Sequence, residues 1–286
     1  MKKAMTVCRT VYLQWLCSTK MLVLLPAGIF LYIYCIEPMQ FYAAAMQTPL
    51  NLIEPFVSIT NALYAAPLFP LLFLFLISSF PRLDQSSGFM LFRIGRRGWF
   101  FGQILFLALA SLTFLAVFFI FSVICVCQDA FLANGWSLAV RKIYEPANLS
   151  LFQQSGLAQI DLSVLNQFRP REAVLLSFLL MWEYMIVTGT VLLLFALRGK
   201  KVLGFFLNIA ANTVGTVLVI FRAWVMWLFP SAHISLANHY DGTRNITYLD
   251  IRFSLLYNAV LLGIVMLFAY RTAQTCSFHT IDATED

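Results

Sequence analysis

Long apolar blocks alternate with short polar segments along this chain. Each block holds about 16 to 28 residues, close to the roughly 20 that cross a bilayer as an α-helix. Because lipid offers no water to exposed backbone groups, the blocks predict membrane-spanning helices. The predicted spans are residues 21–36, 58–80, 100–127, 173–197, 202–229 and 253–270. Pro26 in the first span, and Pro67 and Pro70 in the second, predict kinks.

Residues 1–20 precede the first span and mix apolar with polar positions. Val7, Val11 and Trp15 interleave with Arg9 and Lys20, a pattern typical of a helix lying on a membrane surface. We expect Trp15 and Lys20 to anchor this helix at the interface. The alternative is that these residues are only the uneven start of the first span. The predicted fold is an all-α integral membrane protein, with six transmembrane helices after an N-terminal amphipathic interfacial helix.

The six spans form one transmembrane domain, residues 21–270. An inner loop, 81–99, follows the second span, an outer loop, 128–172, follows the third, and a tail, 271–286, ends the chain. Lys and Arg are concentrated before the first span, after the second and after the fourth. Since cytoplasmic loops of membrane proteins carry an excess of these residues, we expect a multi-pass protein of the cell membrane with both termini cytoplasmic.

Composition excludes a water-soluble fold, because 61% of the residues are hydrophobic, 11% are charged and the mean hydropathy is +0.82. The net charge of +6 comes from basic residues beside apolar blocks, so the expected partner is membrane lipid and not nucleic acid. The six cysteines show no CxxC spacing, and most are expected to act as apolar fillers; the alternative is one disulfide among Cys35, Cys125 and Cys127.

Polar residues within the spans are candidates for a translocation path, because charge is costly at membrane depth. Glu183 and Arg222 are predicted to lie at similar depths, so that they could pair. Asn208, Asn212, Gly215 and Arg222 recur at the spacing of one helical face. Two interpretations stay open: a polar lining for a path, or interhelical hydrogen bonds with close packing.

Sequence patterns of soluble catalytic sites are missing: there is no GxxxxGK[ST] nucleotide loop, no HExxH, no GxSxG and no EF-hand. We therefore predict that the chain is not an enzyme. His233, His239 and Asp241 occur together before the last span. An ordinary solvated loop is the favoured interpretation there, ahead of a metal site.

The inner loop combines an amphipathic start with a dense basic cluster, Arg93, Arg96 and Arg97, next to Trp99. Arginines alone would serve as a topology anchor. The apolar residues among them favour a second interpretation, in which the loop lies along the membrane and presents a docking surface.

At this loop the sequence resembles the membrane (permease) subunits of bacterial ATP-binding-cassette transporters of the type-two export class. The matching stretches are residues 9–20, residues 82–99 running into Gly102-Gln103-Ile104-Leu105, and Phe229-Pro230 before the final span. The outer loop 128–172 departs from the class, in which simpler members have a short turn at this place.

The resemblance implies a chain without a cofactor of its own, whose partner ATPase subunits bind ATP and Mg. A second permease subunit, identical or different, would complete the path. Arg93, Arg96, Arg97 and Trp99 would couple to the ATPase, whereas Glu183, Asn208, Asn212 and Arg222 would line the path. The expected cargo is an exported peptide, antibiotic or lipid-like compound. Two alternatives are a polytopic membrane enzyme acting on lipids and a non-transporting membrane sensor or assembly protein.

Overall fold

The computed structural model describes residues 2–63, 65–81, 91, 93–128, 130–145, 148, 160–241 and 246–276. The protein is mostly helical, at 77%. The α-helices are α1 (Lys2–Leu16), α2 (Leu24–Leu31), α3 (Glu37–Ala45), α4 (Glu54–Asn61), α5 (Leu68–Leu76), α6 (Arg96–Val126), α7 (Leu138–Lys142), α8 (Leu162–Gln167), α9 (Pro170–Leu197), α10 (Lys201–Ile220) and α11 (Ile251–Thr275). Parts of the predicted loops and tail, namely 82–90, 92, 129, 146–147, 149–159 and 277–286, lie outside the described residues.

Within the described residues, five helical segments are long and apolar enough to cross a membrane: Thr19–Ala45, α6, α9, α10 and α11. Large apolar side chains are exposed along them, as a lipid-facing surface requires; examples are Ile29, Phe206 and Ile264. The coarse prediction of a helical membrane protein is thus supported. Six spans are not confirmed, because the second predicted span is interrupted.

The first span is longer than predicted. A 3₁₀-helix (Thr19–Val23) and a π-helix (Tyr32–Ile36) join α2 and α3 into one helical segment of 27 residues. Pro38 accounts for the π-helix, because its ring would clash with a carbonyl one turn earlier in a regular α-helix. At the far end of this segment, the Gln40 amide donates to the Cys125 carbonyl at 2.7 Å.

The second predicted span is split into α4 and α5. Ala62 is extended (ψ 132°), and Pro67 is the residue that precedes α5. Proline lacks an N–H and disfavours helix in the residue before it, so Pro67 and Pro70 prevent a continuous helix through residues 62–67. The prediction placed the prolines correctly but expected a kink where the structure has a break.

The fifth span ends nine residues before its predicted limit, at Ile220. Arg222 follows with a positive φ of 48°, and the Ala223 N–H closes the helix end on the Leu218 carbonyl at 3.0 Å. This is the left-handed helix termination that glycine usually provides. Three short 3₁₀-helices follow, Trp224–Leu228, Pro230–His233 and Leu236–Asn238, which we call the 3₁₀ segment.

Helix α9 is the centre of the bundle, with the largest buried share of the five spans. It contacts α4, α5, α6, α10 and α11. We call the end of the bundle formed by the start of α6, the end of α9 and the end of α11 the basic end. The opposite end, which holds the end of α6 and the starts of α9 and α11, is the loop end.

Helix α1 lies along α6, not on a surface away from the bundle. Val7 and Ala4 contact the helix at Gly102, and the Tyr12 hydroxyl bonds with Thr113 at 2.9 Å. Trp15 is only 6% exposed and packs edge-on to Phe106. The prediction of an interfacial helix is not confirmed. Trp15, which was expected to anchor the helix at the membrane surface, lies in the core of the bundle.

Lys20, the second predicted anchor, donates from its ammonium nitrogen to the Ser78 hydroxyl at 2.5 Å. It therefore joins the start of the first span to the end of α5, within the protein. The polar groups of Tyr12 and Lys20 are thereby bonded within the protein.

Short strands hold the loop end together. β1 (Leu50–Asn51) pairs in parallel with β2 (Ala130–Phe131), and β3 (Tyr240–Asp241) pairs antiparallel with β4 (Ile246–Thr247). The fully buried Glu54 carboxylate accepts the N–H groups of Asn51 (3.0 Å) and Ser137 (2.5 Å). Part of the predicted outer loop is thereby fixed onto the start of α4.

Candidate functional site

A cavity of about 460 Å³ opens where α4 and α5 are separated. We call it the broken-helix cavity. The break between the two helices, the end of α10, the 3₁₀ segment, Asp161 and Tyr248 form its walls. Its polar lining comes from Asn61, Asp161, Thr216, Arg222, Ser231, Ser235, Asn238 and Tyr248, and its apolar lining includes Trp224 and Trp227.

Asn61 joins three parts of the bundle at the wall of this cavity. Its side-chain oxygen accepts the Leu236 N–H at 2.7 Å, and its amide donates to the Ser177 hydroxyl and to the Val57 carbonyl, both at 2.9 Å. These bonds connect α4, α9 and the 3₁₀ segment. The last residue of α4 is therefore fixed although the helix stops there.

Asn212 lies beneath the break. Its amide donates to the Pro67 carbonyl at 3.1 Å, and its oxygen accepts the Tyr184 hydroxyl at 3.3 Å. The Pro67 carbonyl at the break thus accepts a hydrogen bond from α10, and Asn212 of α10 accepts one from Tyr184 of α9. Free backbone groups at membrane depth would otherwise cost several kcal/mol each.

Close packing occupies the rest of the predicted polar face. The buried residues of α10 are Gly204, Asn208, Asn212 and Gly215. Asn208 donates to the carbonyls of Thr188 (3.3 Å) and Gly204 (2.9 Å). A Cβ on Gly215 would lie 1.9 Å from the Ser231 hydroxyl oxygen. The shared face was predicted correctly for Asn208, Asn212 and Gly215, and its observed contacts are interhelical hydrogen bonds and close approach.

Arg222 is not on that helical face, because it follows the end of α10. Its guanidinium lies 3.5 Å from the Tyr248 hydroxyl, which in turn donates to the Asp241 carboxylate at 3.0 Å. The side chain is exposed and lines the cavity. Arg222 therefore belongs to the site through the loop backbone, whereas a continuous helix was expected.

Glu183 does not pair with Arg222. It is half-buried on α9, and its buried Oε2 atom has no hydrogen-bonding partner. Among the residues that the structure describes, no Lys, Arg or His side chain bonds to the Glu183 Oε2 atom. The predicted Glu183–Arg222 pair is therefore not formed, because the early end of α10 moves Arg222 out of the bundle.

The four predicted coupling residues lie in three different environments. Arg93 and Arg97 are exposed at the basic end. The Arg96 guanidinium donates to the Gln274 carbonyl at the end of α11, where a cation also complements the helix dipole. Trp99 is 1% exposed, so it packs inside the protein and presents no docking surface.

His233 and His239 lie in the core, although a solvated loop was expected. Both side chains are fully buried. Burial lowers the pKa of both imidazoles, and that of His239 falls to about 4. No group of three or more His, Cys, Asp or Glu side chains suited to a metal ion occurs within the described parts of the chain.

Sequence reasoning missed Asn61 and Tyr184 as parts of the site. A polar residue at the end of an apolar helix, followed within ten residues by Pro67 and Pro70, is the signal that could have indicated the break. Comparisons with protein families, with curated proteins and with solved structures found no match to this chain.

Proposed function

We propose that the chain is a membrane (permease) subunit of an ATP-binding-cassette transporter, with the broken-helix cavity as the outer end of its cargo path. The observation that carries this proposal is the interruption between α4 and α5 beside a cavity with polar walls. Irregular backbone at membrane depth is tolerated only where protein buries it or where it lines a water-filled cavity, and transporters build cargo sites from interrupted helices.

Arg222 gives further support. A residue with a positive φ of 48° adopts a backbone conformation that favours glycine, yet the chain has a large cation there. Strained residues concentrate at functional sites, where the surrounding structure holds them in place and the strain is part of the mechanism. The Arg222 guanidinium and the neighbouring indole of Trp224 suit an amphipathic cargo, such as a peptide, an antibiotic or a lipid-like compound.

Coupling is assigned to the basic end, which would face the cytoplasm together with both termini. Exposed Arg93 and Arg97 would dock on the ATPase subunits that bind ATP and Mg. In this proposal Arg96 is a positioning residue, since its guanidinium holds the end of α11. A second permease subunit would complete the path, and the chain itself would have no enzymatic activity.

Affinity purification in mild detergent tests the central claim. Co-purification of a stoichiometric ATPase, whose activity in lipid depends on this chain, would support a transporter subunit. Repeated isolation of the chain alone, without ATPase activity, would refute it and direct attention to a sensor or a lipid-modifying enzyme.

Coupling through the basic end is tested by a double variant, Arg93→Gln with Arg97→Gln. The matched control is Arg198→Gln with Lys200→Gln, because those two residues are also exposed at the basic end, just after α9. We expect the first pair of changes to lower ATPase association at least roughly tenfold, as loss of charge complementarity at an interface does, and the second pair to leave it unchanged. Equal effects of both pairs would contradict a specific docking surface.

A further inference from the structure

A chain of hydrogen bonds passes from one buried histidine to the other through Ser254. The Ser254 Oγ lies 2.8 Å from His233 Nδ1 and 2.7 Å from His239 Nε2. Ser254 belongs to α11, whereas the two histidines belong to the 3₁₀ segment and the residue after it. The cluster therefore joins this segment to the last span.

Backbone carbonyls settle which of the outer ring nitrogens carry hydrogen. His233 Nε2 lies 3.0 Å from the Trp227 carbonyl, and His239 Nδ1 lies 2.9 Å from the Ser235 carbonyl. A carbonyl only accepts, so each of these nitrogens must be an N–H. A neutral imidazole has one N–H, which leaves the two nitrogens facing Ser254 without hydrogen.

The neutral cluster is therefore one proton short. A serine hydroxyl has one hydrogen and can donate to one histidine only. Toward the other histidine, its oxygen lone pairs would face a nitrogen lone pair at hydrogen-bonding distance. One added proton removes this conflict, because a charged ring donates to Oγ while the hydroxyl donates to the other ring.

We propose that His233, Ser254 and His239 form a binding site for one proton, which the two rings share through the serine hydroxyl. The charge passes from one ring to the other when the proton of the charged ring moves to Oγ and the hydroxyl proton moves to the neutral ring, and neither side chain has to move. The site holds a single proton, since a second one would place two buried cations on the same oxygen and leave the hydroxyl hydrogen without a ring nitrogen to accept it. This assignment is independent of the proposed transport function.

Aromatic rings around the cluster suit a shared positive charge. The Trp227 ring lies 5.4 Å from each imidazole, and the Tyr257 ring stacks on His233 at 4.3 Å. Cations within about 6 Å of an aromatic face are attracted by it, most strongly where water is excluded. Burial acts in the opposite direction, because it lowers the pKa of both histidines. Binding of a second proton is therefore disfavoured more strongly than binding of the first.

Few other titratable groups face the cluster from the elements packed around it. Asp250 caps the start of α11 and raises the proton affinity of His239, against the larger lowering by burial and by the His233 charge. On α9, Tyr184 lies within electrostatic range of Tyr257, and Glu183 is its neighbour in sequence. On β3, Tyr240 and Asp241 follow His239, and neither α8 nor residues 202–220 of α10 contain an ionisable side chain.

Proton binding at the His233–Ser254–His239 site affects one wall of the broken-helix cavity. Trp227 and Ser235, whose carbonyls accept the outer N–H groups, also line that cavity. Without the proton, one of the two bonds between Ser254 and the histidines is lost, and the cavity wall is held less firmly on α11. We therefore expect acidification to fasten this wall.

Solid-state NMR of the full chain in lipid bilayers tests the proton site. His279→Gln removes the third histidine of the chain, so that selective ¹⁵N-histidine labelling reports on His233 and His239 alone. As the pH is lowered from 8 to 4 we expect the pair to take up one proton, with signals of both rings changing at the same midpoint. Uptake of two protons, no uptake, or a change in one ring without the other would overturn the proposal.

Ser254 variants test the role of the hydroxyl. Ser254→Thr keeps the hydroxyl and should keep the common midpoint, which also controls for folding. Ser254→Ala leaves a charged ring without its acceptor, and charge-assisted hydrogen bonds are worth enough to expect a roughly tenfold or greater loss of proton affinity. An alanine variant that folds and titrates like the threonine variant would refute sharing through Ser254.

Discussion

Gly102→Ala should detach α1 from α6. A Cβ at this position would lie 2.6 Å from the Val7 Cβ and 2.8 Å from the Ala4 carbonyl oxygen. Carbon contacts are favourable at about 3.5–4.0 Å, so α1 would have to move by roughly 1 Å. The obstacle includes backbone, which cannot rotate away. Overpacking of this kind costs about 1–3 kcal/mol.

Gly263→Ala is the matched control, because a Cβ there meets nothing within 4 Å. Both variants replace a helical glycine by alanine and share the helix-propensity gain of about 1 kcal/mol. The difference between them therefore measures the clash alone. At 1.4 kcal/mol per factor of ten, docking of α1 should weaken roughly 5- to 150-fold relative to the control.

Cys8 reports on this docking, since its thiol is on α1 and is 2% exposed. A chain in which Cys17, Cys125, Cys127 and Cys276 are replaced by serine leaves it and the fully buried Cys35 as the remaining thiols. We expect maleimide to label Cys8 faster in the Gly102→Ala variant by the factor above. Equal labelling of both glycine variants would refute the packing of α1 on Gly102.

Three further predictions concern the loop end. Asn61→Leu should lower the free energy of unfolding by about 1–3 kcal/mol, because it leaves the buried Leu236 N–H without an acceptor. Asn61→Asp can still accept that N–H and should lower it less, when both variants are compared by thermal denaturation. Arg222→Gly should stabilise the end of α10 by up to about 1 kcal/mol while weakening cargo binding, whereas Arg222→Ala should weaken binding without stabilising; loss of stability in the glycine variant would contradict the strain argument. The third follows from burial, which lowers the pKa of His239 to about 4 in the folded protein: the unfolded chain binds a second proton that the folded chain excludes, so the free energy of unfolding is highest above about pH 6.5 and falls as the pH drops toward about 4, even though the one shared proton fastens the cavity wall. Relative to a His233→Gln, His239→Gln double variant, one shared proton predicts a loss of about 1.4 kcal/mol per pH unit, and two excluded protons predict about twice that value.

The sequence allowed the membrane class and most of the spans to be predicted, since apolar blocks respond to lipid whatever their neighbours are. It also allowed the shared face of Asn208, Asn212 and Gly215 to be predicted, because helical periodicity is local. The length of the fifth span was overestimated. Hydrophobicity continues through Trp224 and Trp227, while the backbone has already left the helix at Arg222.

Tertiary contacts account for what could not be predicted. His233 and His239 are polar and precede the last span, so the sequence favours a solvated loop; their burial depends on Ser254 of α11 and on Trp227. Trp15 likewise fits a membrane surface until Phe106 is placed beside it. In each case a long-range partner decides the environment, and no local pattern of residues identifies that partner.

Helix α6 is longer than a bilayer is thick. Its 31 residues extend over about 46 Å at 1.5 Å per residue, against roughly 30 Å of hydrocarbon, and proline is missing from its whole length. About three turns must therefore project beyond the hydrocarbon or be accommodated by tilt. A continuous helix of this length can transmit a displacement along its axis. A movement of α6 at Arg97 would therefore also shift the contact between Cys125 and Gln40, on the opposite side of the membrane.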